Sequence, residues 1–171
     1  MLRLIFAFLD VMLHRRGPDS MPSSRFLLWL LLGAALVVHA AVNAWAGGSV
    51  RAAAVDALIL GLDVWFVFAL LRTFGKQPRF RQTMIALLGA DIVLSVLFAP
   101  VLPFLVEQDP ENPELTLPVI LTVAAFVWAI DINSFVFSRA LERPYFLCMA
   151  IVIGYALLIR SLQITLLQPL A

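Results

Sequence analysis

Apolar residues run along this chain in long blocks, and the polar residues gather between them. Five blocks reach the roughly 20 residues that a helix needs to cross a hydrocarbon layer: 26–46, 52–71, 83–104, 117–137 and 145–167. Their ends carry helix punctuation. Gly47 and Gly48 follow the first block, Gly75 and Pro78 the second, and Pro100 and Pro103 lie near the end of the third. Pro118 and Pro144 sit at or just before the starts of the last two, where a missing N–H costs little. The pattern predicts an all-α, polytopic membrane helix bundle: five transmembrane helices over 26–171 behind a cytoplasmic leader over 1–25. The connections are too short for a soluble domain, and the chain has no low-complexity tract or convincing internal repeat.

Within the leader, residues 1–13 are apolar but too few to span, and they end in His14, Arg15 and Arg16. This suits a short amphipathic helix in the membrane interface, its basic end among anionic head groups. Packing on the bundle is the alternative. Ala44-Trp45-Ala46 before Gly47 resembles a signal-peptidase site, but the preceding apolar run is long for a signal peptide and the leader ahead of it is extended, so the first block is read as a retained span.

Composition agrees. Hydrophobic residues make up 63% and charged residues 13%, against about a quarter charged in soluble domains, and the mean hydropathy is +0.99. A net charge of +1, with basic residues in short clusters, gives no footprint for nucleic acid. The single cysteine, Cys148, has no metal-ligand companions and reads as a small buried hydrophobe.

Charge placement sets an orientation. Arg3, Arg15, Arg16 and Arg25 precede the first span; Arg72, Lys76, Arg79 and Arg81 separate the second from the third; Arg139 and Arg143 precede the fifth. All fall on one side. The other side has Arg51, the acidic residues Glu107, Asp109, Glu111 and Glu114, and a tail without basic residues. The N-terminus is therefore expected in the cytoplasm and Ala171 outside. Arg15, Arg16, Arg72, Lys76, Arg79, Arg81, Arg139 and Arg143 are the candidates for contact with anionic lipid or with a protein partner. The short leader and lack of sorting signals favour a bacterial cytoplasmic membrane.

Helix association in lipid depends on close approach and on polar contacts. Each span offers a small-xxx-small pair: Ala40/Ala44, Ala57/Gly61, Ala86/Ala90, Ala125/Ala129 and Ala150/Gly154. More informative are the polar residues inside the spans: His39, Asn43, Asp56, Asp63, Asp91, Asp131, Asn133 and Arg160. A charge there is expensive unless paired, hydrated or neutralised. His39 and Asn43 lie one turn apart and Asp56 and Asp63 two turns apart, so each pair shares a face that should point inward. Arg160 is expected to pair with Asp56 or Asp63 or to snorkel outward. The ladder reads either as interhelical hydrogen bonding that fixes helix order or as a proton or cation path through Asp63, Asp91 and Asp131.

Catalytic and cofactor signatures are missing. Only His14 and His39 could serve a haem, and they lie on different segments. Ser134 lies near Asp131 but no histidine is expected to accompany them, so a triad cannot be built, and no glycine loop is made for phosphate. Trp29, Trp45, Trp65 and Trp128 read as interface anchors and packing. No catalytic, metal or cofactor residue is assigned.

Two stretches carry a family resemblance: Arg79-Phe80-Arg81-Gln82-Thr83-Met84 entering the third span, and Val127-Trp128 followed by Ser138-Arg139-Ala140-Leu141 leading into the fifth. With the order of a cytoplasmic leader, five spans and an external C-terminus, the chain resembles the Yip1-type membrane-protein family. The resemblance implies a non-enzymatic membrane scaffold or adaptor; eukaryotic relatives associate with Rab-type GTPases. The reading is a scaffold or accessory subunit, with a protein partner or a homo-oligomer. A small transporter or proton-coupled conduit is the alternative.

Overall fold

The computed structural model describes residues 2–106 and 116–167. The acidic residues Glu107, Asp109, Glu111 and Glu114, the side chain of Arg3 and the terminal Ala171 lie outside the described residues. Within them every regular element is helical: α1 (Leu2–Met12), α2 (Arg25–Trp45), α3 (Val50–Thr73), α4 (Phe80–Phe98), the short α5 (Pro103–Val106), α6 (Leu117–Leu141) and α7 (Tyr145–Leu167). Five of these, α2, α3, α4, α6 and α7, are long and apolar enough to cross a membrane. The chain is an integral, multi-pass α-helical membrane protein by this measure.

Starts and stops have identifiable causes. Ser24 and Ser49 cap α2 and α3, accepting from the backbone N–H of Leu27 and Ala52 at 3.3 and 3.2 Å. Gly47 and Gly75 take left-handed backbone (φ 72° and 68°). The N–H of Gly48 then returns to Asn43 O at 2.8 Å and that of Lys76 to Leu71 O at 2.7 Å, closing Schellman turns. The same turn closes α1 and α6 without glycine. His14 (φ 59°) and Glu142 (φ 56°) hold the left-handed position, and Arg15 and Arg143 return to Asp10 O and Ser138 O at 2.8 and 3.1 Å. The third span ends sooner than residue 104. Regular α-helix stops at Phe98 and a 3₁₀ turn follows over Ala99–Val101, because Pro100 and Pro103 cannot donate to the helical ladder.

Helix α4 is the axis of the bundle, packing against α1, α2, α3 and α6, while α7 packs on α6 and α3. Residues 83–90 of α4 are all buried. Around them lie Leu31 and Ala35 of α2, Val67 and Leu71 of α3, and Ile132 and Val136 of α6. Of the small-residue pairs only Ala86/Ala90 is buried in this core. Ala40/Ala44, Ala57/Gly61 and Ala150/Gly154 lie on exposed faces, and a Cβ added at Gly61 or Gly154 would meet nothing within 4 Å. Helix contact is set instead by large side chains on α4 and by polar pairs.

The leader is docked on the bundle. Phe8, Val11 and Met12 are buried in the core, and the ring of Phe8 occupies the space that a side chain at Gly89 of α4 would need. Close approach there requires glycine, so Gly89 sets the seat of α1. Gln82 at the start of α4 donates to Met21 O at 3.1 Å, tying down the strap between α1 and α2. The outward face of α1 carries the exposed Ile5 and Phe6, so its amphipathic character is real and its inner face is held by packing.

Candidate functional site

Each of the carboxylates within the long helices is hydrogen-bonded by a side chain from another helix. From α2, His39 Nε2 lies 2.9 Å from Asp91 Oδ2 of α4, and Asn43 Nδ2 donates to Asp56 Oδ2 of α3 at a long 3.4 Å. From α7, Tyr155 Oη donates to Asp63 Oδ1 of α3 at 2.8 Å and Tyr145 Oη to Asp131 Oδ1 of α6 at 2.6 Å. The leader adds His14, whose Nε2 is 3.2 Å from Asp131 Oδ2 and whose ring stacks on Phe135 with centroids 4.2 Å apart. The two inward faces inferred from spacing on α2 and α3 are realised.

Of the two outcomes expected for Arg160, pairing with an aspartate is not realised and an outward position is. Asp56 is bonded to Asn43 and Asp63 to Tyr155, and Arg160 is exposed on α7 without an ion pair among the described residues. Tyr155, placed one and a half turns earlier on α7, supplies the α7 contact assigned to Arg160. A tyrosine hydroxyl satisfies a carboxylate at far lower desolvation cost than a guanidinium would.

The polar residues do not form one continuous ladder. Asp63, Asp91, Asn133 and Tyr155 border a single cavity of about 140 Å³ between α3, α4, α6 and α7, with apolar walls that include Phe66 and Phe137. Asp131 belongs elsewhere. It is two residues from Asn133 on α6, on nearly the opposite face, in the cluster with His14 and Tyr145. Ser134 does not join that cluster as a nucleophile: it is fully buried and donates to Ile130 O of its own helix at 2.6 Å. Cys148 is buried, as read from the sequence.

At the basic end of the bundle, several residues expected to meet lipid or partners are engaged within the chain. Lys76 and Arg79 both grip Glu142, each at 2.5 Å, and Arg79 also donates to Arg139 O and Ala140 O, both at 3.2 Å. Those bonds satisfy carbonyls left open at the end of α6 and join the two stretches that carry the family resemblance. The cations hold the Glu142 carboxyl below the usual carboxylate range, Lys76 contributing most. Arg16 pairs with Asp10 at 3.1 Å, while Arg139 and Arg143 lie over the rings of Phe135 and Phe74. Arg15 and Arg72 are exposed and Arg81 is half-buried; of the eight candidates, these three have neither an acid nor an aromatic ring as partner among the described residues.

Sequence reasoning missed Tyr145, Tyr155 and His14 as carboxylate partners. Tyr155 lies in an otherwise apolar stretch, where a hydroxyl deep in a span was the available signal; Tyr145 opens α7 beside Arg143 and Pro144 and gave none. Among the described residues no group of three or more His, Cys, Asp or Glu side chains is placed to hold a metal ion. Compared with family models, with curated proteins and with solved structures, the chain matches none of them.

Proposed function

We propose that this chain is a non-enzymatic membrane scaffold or accessory subunit of a membrane assembly, set in a bacterial cytoplasmic membrane with its N-terminus in the cytoplasm and its C-terminus outside. The observation that carries this reading is that Asp56, Asp63, Asp91 and Asp131 are each bonded across helices, so the costly polar groups serve helix order. The separation of Asp131 from the cavity argues against a continuous relay. Orientation rests on the collection of basic residues at one end of the bundle. The exposed Arg15 and Arg72, with Arg81, give that end cations for anionic lipid or an acidic partner. The kinship with Yip1-type proteins belongs to the same proposal and supports an adaptor role.

The test is purification in mild detergent from native membranes at natural expression, followed by mass spectrometry of stoichiometric companions. A reproducible protein partner, lost in an Arg15/Arg72/Arg81→Ala variant, is the expected result. A lone chain or a homo-oligomer would overturn the accessory-subunit reading. One observation favours a second reading, a small proton-coupled transporter: two of its three aspartates, Asp63 and Asp91, border one cavity. Flux in proteoliposomes that Asp91→Asn abolishes without unfolding would establish it.

A further inference from the structure

The cavity between α3, α4, α6 and α7 contains more acceptor capacity than the protein uses. Tyr155 takes only Oδ1 of Asp63, and His39 takes only Oδ2 of Asp91. Each carboxylate therefore keeps a second oxygen without a partner among the described residues. Asn133 also borders the cavity, and its amide has no hydrogen bond to any described side chain or backbone group. No fully buried polar side-chain atom is left unsatisfied, so these spare groups face open space. Asp91 retains 45% side-chain exposure despite its bond to His39, which keeps its carboxylate accessible.

Three acceptor oxygens without a partner among the described residues, two of them on carboxylates, belong to side chains that border a space walled by aromatic and aliphatic residues. A primary ammonium has three N–H donors and no acceptor. Phe66 stacks on Tyr155 with centroids 3.8 Å apart, and Phe137 meets Phe66 edge-on at 6.0 Å. Such ring surfaces receive an alkyl stem and favour a nearby cation. The volume, about 140 Å³, is close to that of a void that takes up one benzene molecule, roughly 150 Å³, which sets the ligand at about six non-hydrogen atoms.

We propose that this cavity binds a small primary alkylammonium ion, its nitrogen held by Asp63, Asp91 and Asn133 and its stem among the aromatic rings. A metal ion fits less well, since the cavity offers only two carboxylates and one amide. Binding is independent of the scaffold reading and of flux: the site can load a carrier or set the state of an assembly.

The experiment is calorimetric titration of the full chain in lipid nanodiscs with n-pentylammonium, against empty nanodiscs, and with 1-pentanol as the neutral equivalent. Saturable one-to-one binding of the ammonium that the alcohol does not compete away is expected. Asp63→Asn keeps an acceptor for Tyr155 but removes the charge, and should weaken binding by about tenfold to a hundredfold. Asp56→Asn, outside the cavity, should leave affinity unchanged. Absence of binding, equal competition by the alcohol, or parent affinity in Asp63→Asn would overturn the proposal. Should that variant fail to fold, Asn133→Ala decides: weakened binding supports the site, and unchanged affinity overturns it.

Discussion

Substituting Gly89 by alanine should loosen the leader from the bundle. The added Cβ would fall inside the van der Waals envelope of the Phe8 ring, and Phe8 is only 5% exposed, so the ring must turn out of its seat or α1 must lift. Overpacking of this kind costs about 1–3 kcal/mol, equivalent to roughly a 5- to 150-fold shift in the opening of α1. Val11, fully buried on the same helix, provides the reporter. In a Cys148→Ala background, Val11→Cys should react with a maleimide only when α1 opens, at a rate that follows the open population. Gly89→Ala should accelerate labelling within that range. Adding Phe8→Ala should produce less than the sum of the two effects, since removing the ring relieves the clash. Labelling of Gly89→Ala at the parent rate, or strict additivity in the double variant, would refute the packing argument.

The remaining expectations concern the ends of the helices. His14→Ala removes both the stack on Phe135 and the contact with Asp131, and should raise Val11→Cys labelling by about two- to tenfold. Arg79→Ala removes two carbonyl contacts at the end of α6 and one hold on Glu142. Because these groups are largely solvated, the unfolding midpoint in detergent should fall only modestly, with Arg79→Lys recovering part of it. Glu142 has its folded pKa depressed, so its stabilisation is present at neutral pH and is lost as pH falls through the depressed value, below about 4.5. Unfolding midpoints from about pH 7 to about pH 3 should show a decline that Glu142→Gln flattens.

Much of the architecture is legible in the sequence because lipid imposes it. An apolar run long enough to span has few alternatives to helix, and Gly47 and Gly75 announce their turns through the left-handed backbone they adopt. His14 and Glu142 fill the same position without glycine and gave no such warning; their side chains find Asp131 and the Lys76/Arg79 pair instead. The site was legible in its residue types and less so in its pairings. Spacing put His39 with Asn43 and Asp56 with Asp63 on inward faces, but which helices meet is a tertiary fact. Arg160 attracted the aspartates on charge alone, whereas the structure gives them tyrosine, histidine and asparagine. The docking of α1 was obscured for a related reason: Gly89 reads as one more small residue in a span until Phe8 is seen against it.

The claim that intramembrane carboxylates fix the order of the helices meets its most direct test at Asp63 and Tyr155, which join the nonconsecutive α3 and α7 by one 2.8 Å bond. A double-mutant cycle of Asp63→Ala and Tyr155→Phe, read as unfolding free energy in bilayer-like detergent, isolates that bond from the space each substitution leaves. The expected coupling is about 0.6–1.7 kcal/mol, from the average to the maximum found for interhelical hydrogen bonds in membranes. A coupling indistinguishable from zero would mean that apolar packing alone sets the bundle, contradicting the structural role assigned to its aspartates.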